Sequence, residues 1–409
     1  MRILWVKVGG LWPRDRGGRL RSWHVISELS RRHRVTVATT HDPAEYPDGL
    51  WDSLGQCERV LSLPHRLPKQ GSVRFAAALC RSWFGTLPVD LLKAQVPALA
   101  REARRLVEAR LVDLCVADFL AAAPNVPLPG AVPVVLFQHN VEHMIWKRLA
   151  STERRAWRRA LLDLEWRKMR AWEVRASSRA TATVAVSESD RDLLADLAPG
   201  ARVSAIPTGV DTAYFSPRPT DDAGLARLVF TGSMDWYPNE DAILYFVDSI
   251  LPAIRREVPE VSLTVAGRNP SAGLRAAAAR AGVSVTGTVD DVRPFVAGAS
   301  VYIVPLRVGG GTRLKIFEAL AMGKAVVSTS VGAEGLPLIH GEHVLLADEP
   351  ADFARAVASL VRDPAARQRL GLAGRRLVEA RYSWAHVARE FESCLEEATI
   401  QGGRVPSCV

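Results

Sequence analysis

The feature that most limits what this chain can fold into is a recurring alternation. Short continuous runs of apolar and β-branched residues are separated by stretches with helical periodicity. In the first half the runs are RILWVKV, RVTVATT (34–40), VDLCVAD (112–118), VPVVLFQH (132–139) and ATVAVS (182–187). In the second half they are RLVFTGS (227–233), VSLTVAG (261–267), VSVTGTV (283–289), ASVYIVPL (299–306), AVVSTSVG (325–332) and HVLLAD (343–348). A strand with no polar alternation buries both faces, and strands joined by helices pair in parallel. The series restarts after RPTDDAG (218–224), a polar, turn-rich stretch. A chain of 409 residues also exceeds what one core ordinarily organises. The expectation is α/β, with two Rossmann-like doubly wound parallel-sheet domains facing a cleft. Their predicted limits are 1–205 and 225–381, with a linker at 206–224 and a closing segment at 382–400.

Composition narrows the class. With 48% hydrophobic and 24% charged residues the chain is globular, and no run approaches the roughly eighteen apolar residues of a membrane span. MRILWVKVGG reads as a first strand rather than a leader. The five cysteines are scattered without a CxxC pair, which argues against a zinc finger or disulfide framework and predicts a reducing, cytoplasmic setting. The net charge of +9 would suit nucleic acid, an anionic membrane face or an anionic small substrate. Much of it lies in residues 146–179, where Trp157, Leu161, Leu164 and Met169 form a ragged apolar stripe among arginines. That segment reads either as a helical hairpin with a solvated basic face or as a peripheral contact with the inner face of a membrane. No nucleic-acid-binding signature accompanies the charge, so nucleic acid is not an expected partner.

PLRVGGGTRLKIFEALAMG (305–323) reads as a strand end, three glycines and a helix. Arg313 and Lys315 fall in the first turn, where the helix dipole is already positive and a cation costs about 0.3–1 kcal/mol. The usual acidic or amide residue three positions after a helix-opening Thr is also missing, because Lys315 follows Thr312. A multiply charged anion, most simply a diphosphate, resolves the conflict. Gly310 and Gly311 would let it approach the backbone, the helix start and Thr312 would offer N–H groups, and the two cations would neutralise it. Glu318 shares a helix face with Lys315 and is placed for ribose hydroxyls. The bland alternative is a glycine-rich surface loop with stray charges. A second loop, VGGLWPRDRGGRLRS (8–22), sets Gly17, Gly18, Arg19 and Arg21 before another helical pattern. Neither GxGxxG nor a P-loop occurs, which argues against a nicotinamide dehydrogenase.

HNVEH (139–143) spells a zinc-peptidase pattern, but His139 ends a strand and would not share a helix face with His143. His139 is better placed to contact a substrate hydroxyl, with a structural role as the alternative. Asp190 and Asp192 form a DxD that reads as a helix cap with solvated charge. No metal site is predicted.

Together these segments resemble the signature of family-4 retaining glycosyltransferases with the GT-B fold. The stretch GGGTRLKIFEALAMGKAVVSTSVGAEGL (309–336) is the main match. Supporting it are the GG loop at 17–18, QHNVE (138–142), AVSESD (185–190), IPTGVDTAYF (206–215), FTGSMDWYPN (230–239), VAGRNP (265–270), GTVDDVRPFVAGASVYIVPL (287–306) and YSW (382–384). The resemblance implies that the first domain is the acceptor side and the second binds the nucleotide sugar, with the segment from Tyr382 returning as a helix to the first domain. Gly17 and Gly18 would approach the diphosphate, and His139 would contact the donor sugar at its 6-hydroxyl. Gly232, Gly267, Arg268 and Val289 would line the nucleotide site, Arg313 and Lys315 would hold the diphosphate, and Glu318 the ribose. It further implies a nucleoside-diphosphate-sugar donor as substrate, no cofactor, and a glycan, lipid-linked or small-molecule acceptor. The chain departs from the family at Thr208, where N-G-V-D becomes T-G-V-D without consequence for the chemistry, and at three further points. The first glutamate of E-x7-E falls on Gly310, and Ser233 and Asn239 stand where an Arg and a Lys are expected. Shifting the phosphate charges to Arg313 and Lys315 would reconcile these departures. A sugar-nucleotide epimerase or hydrolase, or a non-catalytic nucleotide-sugar-binding protein, remain the alternatives.

Overall fold

Every paired strand in the computed structural model, which describes residues 1–13, 17–44, 48–68, 72–218, 226–308 and 314–402, runs parallel to its neighbour. The chain divides into two compact units, Met1–Pro207 with the segment from Val387 onward, and Thr208–His386. The first unit holds β1 (Arg2–Lys7), β2 (Arg34–His41), β3 (Arg59–Pro64), β4 (Leu114–Asp118), β5 (Val134–Phe137), β6 (Ala182–Ala185) and β7 (Val203–Ala205). The second holds β8 (Arg227–Thr231), β9 (Ser262–Ala266), β10 (Ser284–Gly287), β11 (Val301–Val304), β12 (Ala325–Ser328) and β13 (Leu345–Leu346).

The sheet orders are β3-β2-β1-β4-β5-β6-β7 and β10-β9-β8-β11-β12-β13. Each order reverses once, between β1 and β4 and between β8 and β11. At such a switch point the loops leaving adjacent strands diverge and leave room for a ligand beyond the strands' C-terminal ends. Two strands that the sequence reading does not mark, β3 and β7, lie at the sheet edges. RVLSLP is only partly buried and VSA is three residues long, so neither carries the continuous apolar signal of a central strand.

Packing follows from burial on both faces. Leu228 and Phe230 of β8, Val301 and Ile303 of β11 and Val327 of β12 enter one cluster, with Phe246, Ile254 and Phe353. Their strand neighbours Val229, Tyr302, Val304 and Val326 enter a second, with Ile316, Phe317 and Tyr382. The period-2 alternation of a strand thus feeds two apolar layers at once.

The basic 146–179 segment forms most of two helices, Glu142–Thr152 and Ala156–Arg179, that pack on each other. Of the predicted apolar stripe Met169 is buried, whereas Trp157 and Leu164 are exposed. The closing helix, Trp384–Gly402, sends Phe391 into the first unit's core. There its ring lies 5.6 Å from Trp5 and 4.7 Å from Phe137, while Glu392 accepts from Arg32 at 2.5 Å. Phe391→Ala should therefore destabilise the first unit by about 3–5 kcal/mol, the range for a large aromatic removed from a core. Urea unfolding followed by tryptophan fluorescence tests this, and a loss below about 1 kcal/mol would show that the helix is an accessory to that core.

Candidate active site

In the first unit the site grows from the ends of β1 and β4. Lys7 and Asp118 are register partners on these adjacent strands, and both are almost fully buried. Asp118 Oδ2 accepts from the Trp5 indole at 2.8 Å and lies 3.2 Å from Lys7 Nζ, which also donates to Ser22 Oγ at 2.9 Å. The other oxygen, Oδ1, lies 2.8 Å from Nε2 of His139, the second residue after β5. Burial pushes the Asp118 carboxyl up, but Lys7 and His139 outweigh it and hold the group below the ordinary carboxylate range. Burial lowers His139 to about 3 against the pull of Asp118, so the imidazole is neutral at physiological pH. An ionised carboxylate can only accept, so Nε2 carries the proton and Nδ1 is an acceptor. The Asp118 carboxylate thereby sets the tautomer of the residue predicted to meet a sugar hydroxyl.

Gly18 belongs to this cluster too. A Cβ there would come within 2.6 Å of the Phe119 ring, and that ring stacks on His139 with centroids 3.7 Å apart. Gly17 faces open space. The loop's two arginines serve the local fold: Arg19 donates to the Gly9 carbonyl at 3.2 Å, and Arg21 is buried against the Phe137 ring with Nη2 on the Ile206 carbonyl. Burial lowers Arg21 to about 9. The two histidines of HNVEH have different carboxylate partners, since His143 Nδ1 lies 2.6 Å from Glu173. Asp190 and Asp192 lie in the first turns of the Glu188–Leu197 helix, where Ser187 Oγ accepts from Asp190 N. Among the described residues no group of three or more His, Cys, Asp or Glu is placed to hold a metal ion.

In the second unit, Gly232, Gly267 with Arg268, and Val289 follow β8, β9 and β10, adjacent strands of the sheet. A Cβ on Gly267 would stand 1.7 Å from the Gly232 carbonyl oxygen, and one on Gly232 would stand 2.9 Å from Lys315 Nζ. Close approach to backbone requires glycine at Gly267, and at Gly232 the positive φ of 155° favours glycine with the Asn239 and Lys315 side-chain ends beside it. Lys315, in the first turn of the Leu314–Ala321 helix after β11, donates to Asn239 Oδ1 at 2.7 Å and lies 4.1 Å from the Phe230 ring centroid. Asn239 is itself fixed by donating to the Ser233 carbonyl at 2.7 Å. The lysine is therefore drawn across the β8/β11 switch point, to the residue standing where the family pattern expects a lysine. Arg268 Nε donates to Ser233 Oγ at 2.8 Å, and Val289 is half-buried in the loop after β10. Glu318 is partly buried one turn after Lys315, and burial raises it to about 7 while Lys315 opposes the shift. Gly310, Gly311, Thr312 and Arg313 lie outside the described residues.

Sequence reasoning missed Lys7 and Asp118, which it read only as strand residues. Their signal was slight: charged residues closing two otherwise apolar strands.

Two family models match consecutive parts of the chain: Glycosyltransferase Family 4 over residues 17–214 and Glycosyl transferases group 1 over residues 226–363. The chain belongs to the family-4-type glycosyltransferases of the GT-B fold. It is 21% identical over 376 residues to an uncharacterised Klebsiella pneumoniae protein of the cps region, covering 87% of this chain and 90% of that one. It is 30% identical over 216 residues to the phosphatidyl-myo-inositol mannosyltransferase of Mycobacterium leprae, covering 50% of this chain and 56% of that enzyme. Anabaena HepE, solved in complex with UDP and glucose, shares the fold with a TM-score of 0.63 and 16% identity, over 97% of this chain and all of that one.

Two outcomes follow from the site's electrostatics. Asp118→Asn leaves Lys7 buried without its counter-charge and should cost about 3–5 kcal/mol, while Lys7→Met in the same protein should restore most of it. A double-mutant cycle by urea unfolding checks this, and simple additivity of the two losses would refute the pairing. Glu318 ionises at about 7 when folded against 4.5 ordinarily. The folded chain therefore keeps a proton that the unfolded chain releases, so this group's stabilising contribution declines as pH rises from about 4.5 through about 7. Glu318→Gln should match the parent near pH 4 and exceed it in stability at pH 8; parallel stability–pH curves would show a normally solvated carboxylate.

Proposed function

We propose that the enzyme transfers a sugar from a nucleoside-diphosphate sugar to a glycan, lipid-linked or small-molecule acceptor, with retention at the anomeric carbon. The observation that carries the reading is Lys315 held by Asn239 at the β8/β11 switch point, beside two glycines that admit a ligand to the backbone. The diphosphate lies there, with Lys315 and Arg313 as its cations, and the ribose meets Glu318 one turn on. In the first unit neutral His139 accepts a hydrogen bond from a hydroxyl of the transferred sugar. The bond from the anomeric carbon to the phosphate oxygen breaks as the acceptor oxygen attacks the same face, and the acceptor proton passes to the leaving phosphate. Charge building on that phosphate is what fixed cations and N–H groups stabilise, so no metal is required. That HepE was solved with UDP and glucose supports the donor class.

No helix among the described residues is long and apolar enough to cross a membrane. A cytoplasmic setting suits the free thiols Cys57, Cys80, Cys115 and Cys394, and a peripheral contact with the inner membrane face would fall on the basic 146–179 segment. Nucleic acid is not a partner in this reading.

Thermal melts with a panel of UDP-, GDP- and ADP-sugars test the donor. The matching one should add about 2.7 kcal/mol at a hundred times its dissociation constant. Consumption of donor without acceptor would favour an epimerase or hydrolase, and binding without turnover a non-catalytic binder.

The sequence alone suggests that removing Lys315 leaves the free protein no less stable, because the dipole conflict disappears. Its bond to Asn239 and its place over Phe230 offset that relief, so Lys315→Ala should shift stability by no more than about 1 kcal/mol. Turnover should fall by about 2.7–4 kcal/mol in the barrier, as for a lost oxyanion donor. Near-normal turnover with full activity in EDTA would end the diphosphate role of Lys315. Full loss of activity in EDTA would end the metal-free one.

A further inference from the structure

The helix Val73–Trp83 is unusual for its apolar content: Ser82 is its only buried residue. Val73 at its start is 86% exposed, and Phe84 just beyond its end is 95% exposed. Facing it across a groove of about 920 Å³ is the Glu142–Thr152 helix. Phe75 and Leu79 form one wall; Ile145, Trp146, Leu149 and Leu162 form the other side. Ile145 and Leu149 remain 40% and 48% exposed, so the groove is open and unfilled along its length.

Charge divides the groove into two ends. Arg154, Arg155 and Arg158 line the end where the Glu142–Thr152 helix stops, and all three are exposed. Of the carboxylates nearby, Asp90 lies 2.5 Å from Lys93, while Glu153 accepts from the Arg155 backbone and offsets part of the charge of Arg155 and Arg158. At the inner end stands Glu142, three residues after His139. Eleven residues of helix, rising about 1.5 Å each, make the wall about 16 Å long. The groove is therefore continuous along one helix with the loop that carries His139, and its lining combines an aliphatic and aromatic trough with three exposed arginines beside the carboxylate of Glu153.

We propose that this groove binds the acceptor, and that the acceptor is a single long-chain lipid bearing a phosphate or diphosphate. Its hydrocarbon chain lies along Ile145 and Leu149 and its anionic group meets Arg154, Arg155 and Arg158. The inference rests on the transferase reading, which leaves the acceptor class open, and deepens it. A glycan acceptor would need hydrogen-bonding side chains along its path, whereas this wall is apolar, and a free anion would have no use for the trough.

The test is calorimetric titration of the intact protein with monomeric dodecyl phosphate, below its micelle concentration. Saturable binding is expected, at least tenfold tighter than that of inorganic phosphate or of dodecyl maltoside. Leu149→Asp and the double variant Arg155→Glu/Arg158→Glu should each weaken it at least tenfold. These are surface positions, and an unchanged thermal melt confirms folding. Inorganic phosphate binding as tightly as the lipid would overturn the proposal in favour of a free-anion site. Binding to phosphatidylglycerol vesicles but not to the monomeric lipid would replace it with a bilayer contact. Lipid-independent dimerisation abolished by Leu149→Asp would give the face to a second copy of the chain. Donor-induced thermal stabilisation is read on the same samples. Donor binding without lipid binding refutes this inference alone, and lipid binding without any donor response refutes the transferase reading while leaving the groove.

Discussion

Gly267 lies so close to the end of β8 that a Cβ there would stand 1.7 Å from the Gly232 carbonyl oxygen, and the rest of the second unit's site depends on that approach. With both side chains reduced to hydrogen, the loops after β8 and β9 can lie against each other. Space then remains for Lys315 to reach Asn239 from the far side of the switch point. A larger residue at Gly232 would have to push the Lys315 ammonium group or the Asn239 amide aside. The glycines thus leave the space in which the Lys315 ammonium meets Asn239.

Which cations can serve an anionic ligand is then decided by their partners. In the first unit Lys7 is neutralised by Asp118, so its charge is spent inside the fold and it positions a carboxylate rather than a substrate. In the second unit Arg293 is matched by Asp291 and Arg307 by Asp241. Lys315 donates to the Asn239 amide oxygen and lies over the Phe230 ring. The nearby carboxylate, Glu318, is raised to about 7 and is only partly ionised at neutral pH.

The fold was legible because a parallel sheet covered on both faces needs strands that are apolar throughout, and VDLCVAD or ASVYIVPL can hardly be read otherwise. The edge strands β3 and β7 escaped because an edge is half-solvated and short. Individual candidate residues could be named from the sequence where a loop concentrates unusual types, as at Gly17, His139 and Lys315. The partners were not. Asp118 is 21 residues from His139 and 111 from Lys7, and nothing in local spacing says that β1, β4 and β5 will lie side by side. Tautomer and charge state are set by those long-range pairings, so the chemistry of His139 could be suspected from the sequence but not specified.

The Ala156–Arg179 helix shows the same limit from the other direction. It looks like a poor amphipathic helix because the face turned to the core is partly acidic. Glu165 accepts from Ser82 Oγ and from Val89 N, and Glu173 accepts from the backbone of Glu142 and His143. Each carboxylate thereby satisfies backbone N–H groups at the start of a neighbouring helix, which a hydrophobic face could not do. With those inward positions given to carboxylates, Trp157 and Leu164 are left to face solvent among arginines. The helix that anchors the turn after His139 through Glu173 therefore also sets out, at its N-terminal end, the arginines that border the apolar groove. Buried capping and the exposed basic rim are two consequences of one helix being oriented by its acids.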